Sequence, residues 1–590
     1  MLFLFLDENR EAYASKVREY FSARTKDKAS RLRIPSLNDT PLHNLCTNTL
    51  VRFRCMVQDM YDPEYYLGLY EVEDLKTGQR LLRSGMFRDL AECTAHQDIK
   101  LESARNVTMD RQTLGSLGTK RSLEDDDKPV LPPGGTEMET SKGDSASTGD
   151  VSMTATEDKQ TDTKRSRVNT QQGRSGPVTP DLNFPLPNET GPACIMKIYD
   201  NADKFKVNDV IEFIGVLSND PTMATFPERK RSDSSTPVVD LMEGVEEQDA
   251  QSPPPSLVPR IHVILTRDCL HTNPLVPDSE SYNSGIAGLQ GDVSELREQL
   301  LAVLEQAVFG DRLSAEYLLC HLIASIYSRQ DVVAVGKFSL NLLGFPTPSN
   351  FPQQLYSLLE SLVTKSFYLP MTLDNMNKLR FSPKKDYNAN RLSSGLLQLS
   401  ENTHLVLDET ALQPGQLDTN GVQNITALGN LITWQKVEYD FDFHKQDFPC
   451  NILALVLSEG KSILKCDCQV RVMPRLSTSL DEVEKRFEGI LTFLTPSLLT
   501  RLRIYLSLVR QLPYRISTDL QTEIEEDFVN ARKEDSRQMT IDDFHSLLVL
   551  ARLLCLSHGK SEPTKEFWET AKSMEAERKL RMGPQSSSTS

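Results

Sequence analysis

Residues 403–412 read THLVLDETAL, an apolar run ending in Asp408 and Glu409. A strand that ends in Asp-Glu is how many nucleotide-driven ATPases hold a magnesium ion and polarise a water. That chemistry also needs a phosphate loop, G-x-x-x-x-G-K-[ST]. Its backbone N–H groups cradle phosphate and its lysine neutralises phosphate charge. Three Gly-Lys pairs occur and none completes the motif. Gly336-Lys337 is followed by Phe338, Gly460-Lys461-Ser462 has Leu455 where the first glycine belongs, and Gly559-Lys560-Ser561 has Leu554 there. Taken alone, Asp408 and Glu409 cap a buried strand, with Thr410 beginning the next turn. Cys466-Asp467-Cys468 is the one close pair among ten cysteines, and no CxxC exists. With no second pair these are ordinary strand cysteines, reduced as in cytosol or nucleus. No metal and no cofactor is expected.

Other elements must position that strand. TLVRFRCMVQDMY (49–61) alternates, with Val51, Phe53, Cys55 and Val57 on one face and Arg52, Arg54 and Met56 on the other. YYLGLYEV, ACIMKIYD (193–200), DVIEFIGVLS (209–218) and LVPRIHVIL (257–265) follow as further short strands. Together they suit a small antiparallel barrel. From about residue 290 apolar residues recur at three- and four-residue spacing, as in VSELREQLLAVLEQAVFG and SAEYLLCHLIASIYSR. KFSLNLLGF (337–345), THLVLDE and NILALVLS (451–458) then alternate with helices, which predicts an α/β layer of parallel strands. Residues 480–580 are again helical, and Thr540 to Asp543 forms a capping box.

Two stretches, 101–180 and 225–256, bury too little apolar surface to order themselves. No apolar run reaches the ~18 residues of a membrane helix, and MLFLFLDENR lacks the basic start and length of a signal peptide. A net charge of −17 disfavours a protein that coats nucleic-acid phosphates.

FRCMVQDMYDPEYYLGLYE (53–71), DLNFPLP (181–187), GPACIMKIYD (191–200), FKVNDVIE (205–212), LVPRIHVIL and LDTNGVQNITALGNLITWQKVEYDF (417–441) closely resemble the MCM-binding protein family. The resemblance runs from about residue 34 to the C-terminal helices, apart from the two low-complexity stretches. It implies a nuclear, non-enzymatic partner of the Mcm replication proteins. Implied roles are DNA replication, removal of the Mcm complex from chromatin and sister-chromatid cohesion. The C-terminal half is similar to the ATPase module of the Mcm proteins themselves. On that resemblance Gly344-Phe345-Pro346-Thr347-Pro348-Ser349-Asn350 falls at the phosphate loop, without lysine and with prolines that remove N–H donors. Asp542 falls where an active lid carries arginine. Asp408 and Glu409 are then an inactive remnant, and no ATP turnover is expected.

The expected fold is α+β and multidomain. A short helical segment (1–30) precedes a split OB-like barrel (31–100 plus 181–270), interrupted by disordered inserts at 101–180 and 225–256. A degenerate Mcm-like AAA+ module (285–480), a helical lid (481–582) and a disordered tail (583–590) follow. In the barrel, Tyr61, Tyr65, Tyr66 and Tyr70 invite a single-strand-binding reading, but Asp59, Asp62, Glu64, Glu71, Glu73 and Asp74 lie among them and repel phosphate. Protein contact suits them better. In the inserts, Lys120, Arg121, Lys164, Arg165 and Arg167 form basic clusters suited to nuclear import, and Arg229-Lys230-Arg231 is a third. Thr179, Thr236 and Ser252 each precede proline and are candidate phosphorylation sites. Mcm subunits are the expected partners, with no specific nucleic acid and no membrane. The competing readings are a single-stranded-DNA-binding OB-fold replication factor and a weakly active AAA+ ATPase.

Overall fold

The structure is a computed structural model. It describes residues 10–62, 64–67, 69–74, 76–78, 80–89, 97–99, 109–112, 182–187, 189, 191–218, 253, 257–269, 271–276, 292–330, 333–345, 350–534 and 540–583. Among these residues it is a mixed α/β chain with several separate sheets. Met1–Leu117 and Asn183–Ser590 belong to one compact unit and Gly118–Leu182 to a second. Of the second, only Leu182 is described.

Helices α1 (Arg10–Thr25) and α2 (Lys28–Leu32) lead into the N-terminal sheets. The strands there are β1 (Leu50–Met56), β2 (Glu64–Leu67), β3 (Leu69–Asp74), β4 (Arg80–Ser84), β5 (Gln97–Ile99), β6 (Met109–Gln112), β7 (Ile195–Lys197), β8 (Val210–Ser218) and β9 (Arg260–Asp268). The largest sheet has the order β1-β8-β9-β7; β4-β3-β5 and β2-β6 pair separately. The alternation of β1 is realised, since Val51 and Phe53 are buried and Arg52 and Arg54 are not. Two expectations are corrected. Pairing is not wholly antiparallel, because β7 lies parallel to β9; alternation marks a strand but not its partner. And β6 lies inside the stretch 101–180, its MDRQ too polar to read as a strand. A bulge breaks the β8–β9 register at Ile214/Gly215. Gly215 is required there, since an added Cβ would sit 2.3 Å from the His262 carbonyl oxygen.

The C-terminal half opens with α3 (Val293–Ala307) and α4 (Arg312–Ile323), then an antiparallel pair, β10 (Ser328–Gln330) and β11 (Val333–Val335). Next come β12 (Leu340–Leu343), α5 (Phe351–Leu362), β13 (Ser366–Pro370), α6 (Leu373–Lys378), β14 (Lys384–Asp386) and β15 (Arg391–Ser393). β16 (His404–Asp408), α7 (Thr419–Trp434), β17 (Lys436–Asp440), β18 (Lys445–Pro449), β19 (Leu453–Ser458) and β20 (Cys468–Arg471) complete the layer. The predicted parallel sheet is present, with the order β13-β16-β19-β12-β20 and every neighbour parallel. β16 and β19 are buried at every position, as strands covered on both faces must be.

Five helices follow: α8 (Leu480–Phe493), α9 (Pro496–Arg510), α10 (Thr518–Glu534), α11 (Ile541–Ser557) and α12 (Lys565–Met582). Pro496 opens α9 behind the Thr495 cap, and the capping box of Thr540 and Asp543 forms at α11 as expected. α12 lies along β20, where Arg578 donates to the Gln469 carbonyl, so the edge of the sheet is covered.

The core has two large apolar clusters. One joins α3, α4, α5 and the C-terminal helices to one face of the parallel sheet. The other joins the opposite face to the N-terminal sheet, packing Met60, Phe205, Phe213 and Val263 with Leu369, Met371, Leu405, Leu407 and Tyr439. Polar contacts seal the same junction. Asp59 Oδ2 accepts from the Leu392 N–H at 2.7 Å, Gln398 donates to the Gln58 carbonyl at 2.6 Å, and Asn183 Nδ2 donates to the Leu392 carbonyl at 2.7 Å.

Candidate functional site

Open parallel sheets bind ligands beyond the carboxyl ends of their strands. The register sets those ends side by side, Leu343 of β12 against Ser458 of β19 and Asp408 of β16 against Leu457. Asp408 is therefore where a magnesium-holding carboxylate would stand. Its oxygens are already used. Oδ2 accepts from the Tyr368 hydroxyl at 2.5 Å, and Oδ1 accepts from the Thr410 N–H at 3.0 Å and the Thr410 hydroxyl at 2.6 Å. Asp408 is 4% exposed and caps the single 3-10 turn Glu409–Ala411. Burial, and then the bond to Asp408, push the Tyr368 phenol well above its ordinary range.

Glu409 turns aside. Its Oε1 accepts from the Ser462 hydroxyl at 2.7 Å, in the loop that follows β19. Burial raises its carboxyl pKa, against the lowering pull of Ser462 and of the Leu464 and Ile463 backbone. Ser462 belongs to one of the three Gly-Lys pairs, so that pair serves the loop. In another, Lys337 is ion-paired with Asp467. The third lies just past α11, where Gly559 takes φ +70° and Lys560 sits 5.2 Å from the Phe567 ring centre.

At the expected phosphate loop, Pro346, Thr347, Pro348 and Ser349 lie outside the described residues. Its flanks are described. Phe345 and Phe351 are buried, pack with ring centres 4.4 Å apart, and both approach Phe309. The start of α5, where a phosphate would approach N–H groups, is thus anchored by aromatic packing. Beside it, Ser458 donates to Asn341 Oδ1 at 3.0 Å inside the sheet. Asp542 is exposed on the first turn of α11, next to the capping residues.

Cys468 lies in β20, Cys466 just before it, and burial raises both thiols. No group of three metal-ligating side chains occurs among the described residues. Of the four tyrosines Tyr61, Tyr65, Tyr66 and Tyr70, Tyr61 is half-buried, and burial pushes its phenol up to about 12. The side chains of Tyr65, Tyr66 and Tyr70 lie outside the described set. So do Lys120, Arg121, Lys164, Arg165, Arg167, Arg229, Lys230, Arg231, Thr179, Thr236 and Ser252. Asp59 and Asp62, read as phosphate-repelling, instead meet the loops around β15: Asp59 accepts from Leu392 and Asp62 from Asn390 at 3.0 Å. Their partners lie too far along the chain for spacing to signal the contact, as does Tyr368 from Asp408.

The family model described as Mini-chromosome maintenance replisome factor matches residues 21–118 and 113–582. This chain belongs to that family. It is similar to the Mini-chromosome maintenance complex-binding protein of Gallus gallus, 44% identical over 97% of this chain and 94% of the relative. The Homo sapiens protein of that name is 42% identical with the same coverage. The Drosophila melanogaster protein is 35% identical over 94% of this chain and 93% of the relative. The match of the family model begins in the second half of α1. No helix among the described residues is long and apolar enough to cross a membrane.

Proposed function

We propose that this chain is a non-catalytic binding partner of the Mcm replication complex. It acts in the nucleus in DNA replication, in removal of the complex from chromatin and in sister-chromatid cohesion. Its C-terminal half is a degenerate AAA+-like module with a helical lid, and its N-terminal sheets are an OB-like barrel fused to it. The observation that carries the non-catalytic reading is Asp408. A carboxylate whose two oxygens already accept three internal hydrogen bonds has little left to hold magnesium. The all-parallel sheet supports the module, and the aromatic packing at the start of α5 supports loss of the phosphate grip. Membership in a family whose relatives are named complex-binding proteins supports the partner. By mimicry, a module shaped like an Mcm subunit docks on real subunits across an inter-subunit face and leaves the ring incomplete.

Cross-linking mass spectrometry of the protein with Mcm subunits tests the docking. Cross-links from 285–582 to an inter-subunit face are expected, and cross-links confined to 101–180 and 225–256 would refute it. A malachite-green phosphate assay tests the ATPase alternative, and salt-dependent binding to single-stranded DNA tests the other. Alanine at Lys164, Arg165 and Arg167 is expected to leave the protein more cytoplasmic; unchanged nuclear localisation counts against those clusters as import signals.

A further inference from the structure

Between α2, β1, β8, the end of β9 and residues 271–276 lies a cavity of about 540 Å³. Five cationic side chains line it, Lys28, Arg31, Arg52, Arg54 and Arg267, against the acids Asp39, Glu212 and Asp268. Asp268 also meets Lys204 at 3.5 Å. In a chain of net charge −17 this is a local reversal of sign.

The strand register explains how it arises. Arg54 of β1 and Arg267 of β9 both face Glu212 of β8, and Arg52 lies two residues along the same face of β1. Glu212 is 3% exposed. Its carboxylate meets Arg52 at 3.5 Å, Arg54 at 3.7 Å and Arg267 at 3.5 Å. These are charge contacts, longer than the ~2.7–2.9 Å of a charge-assisted hydrogen bond. Arg54 Nε and Glu212 Oε2 are buried and make no hydrogen bond among the described residues. Native structures rarely leave such groups unmet. A network that served only to tie the strands together would close to bonding distance. Here Arg54 Nε and Glu212 Oε2 are left unmet among the described residues, beside a cavity whose lining holds more cations than acids.

We propose that the cavity binds a phosphomonoester carried on a peptide, a phosphoserine or phosphothreonine of a partner protein, with Arg54 and Arg267 as its principal donors. Planar guanidinium forks suit a phosphate dianion, and Arg clusters are a recurring mode of phosphopeptide recognition. A nucleic-acid strand fits less well. Among the described residues no Phe, Tyr or Trp lines the cavity and its one ring is the His271 imidazole, a poor platform for successive bases, and three acids would oppose a run of phosphates. The lining also holds Ser36, Asn38 and Thr272, short polar groups of the kind that grip a peptide chain.

The test uses the full-length protein and calorimetry with four probes: inorganic phosphate, a degenerate peptide library with one fixed phosphoserine, its unphosphorylated counterpart, and oligothymidylate. The phosphorylated library is expected to bind at least roughly tenfold tighter than the unphosphorylated one, with millimolar phosphate competing. Arg54→Gln and Arg267→Gln should each weaken it by roughly tenfold. Arg54→Lys, which keeps the charge that balances Glu212, should weaken it less. Glu212→Gln removes the competing carboxylate and should tighten binding, so that phosphate raises its melting temperature more than it raises that of the unaltered protein. Equal binding of the two libraries, no competition by phosphate, or no gain in Glu212→Gln would overturn the proposal. Oligothymidylate binding that is lost in Arg54→Gln would replace the peptide with nucleic acid.

Discussion

Replacing Asp408 by alanine separates a structural carboxylate from a catalytic one. The substitution strips acceptors from the Tyr368 hydroxyl and from the N–H and hydroxyl of Thr410. A buried donor left unpaired costs about 1–3 kcal/mol. Tyr368 and Thr410 are half-buried, so water recovers part of that loss. The sum comes to about 2–4 kcal/mol, including the lost cap of the turn that follows β16. At ordinary urea m-values this moves the unfolding midpoint down by roughly 1 M. Glu409→Gln should change stability by less than about 1 kcal/mol, because its one side-chain partner, Ser462, also bonds within its own loop. Urea unfolding followed by tyrosine and tryptophan fluorescence reads the stabilities. A malachite-green assay on the same samples should find no phosphate release above background in any of them. The reasoning fails if Asp408→Ala unfolds at the same urea concentration as the parent while abolishing a measurable ATP turnover.

Three further outcomes are expected. Burial at the junction raises the Asp59 carboxyl to about 6, against the lowering pull of the Leu392 N–H. Its neutral form is the one the fold favours, so this group's contribution to stability is full below about pH 4 and is lost as the pH rises to and through 6. The loss between pH 4 and 7, relative to Asp59→Asn, should be about 2–3 kcal/mol by urea unfolding; a flat difference would refute it. Gly215→Ala drives a Cβ against the His262 carbonyl and should cost at least about 2 kcal/mol, read as a fall in melting temperature. Arg581→Met leaves Asp311, fully buried, without the cation that bonds it at 2.7 Å. Burial pushes the Asp311 carboxyl up, but Arg581 and Ser314 outweigh it and hold it low. The loss should be about 3 kcal/mol and should shrink in the double variant with Asp311→Asn, as measured in a double-mutant cycle.

Sequence patterns reported what is local and periodic. β16 and β19 read as unbroken apolar runs because both faces are buried, and it was their alternation with helical segments that led to a parallel layer. The cap at Thr540 was legible because both partners sit within one turn. The alternation of β1 put Arg52 and Arg54 on one face, yet nothing in it pointed to Glu212 or Arg267, which strand pairing brings up from far along the chain. The partner of β7 was hidden for the same reason. Asp59 and Asp62 were legible as acids, and their charge suggested repulsion of phosphate. Their contacts with Leu392 and Asn390 depend on a junction that no spacing encodes.

That junction bears on how the molecule can be dissected. Met60, Phe205, Phe213 and Val263 share one apolar cluster with Leu405, Leu407 and Tyr439. A fragment that begins near residue 285 would bare the part of this cluster that Met60, Phe205, Phe213 and Val263 cover, and a fragment that ends before it would strip the matching face of the N-terminal strands. Each would offer sticky surface that the intact chain keeps inside. Partners captured by either piece would then report the cut rather than the protein. Contact maps of this chain are best built from point substitutions on its outer surface, with both halves left in place.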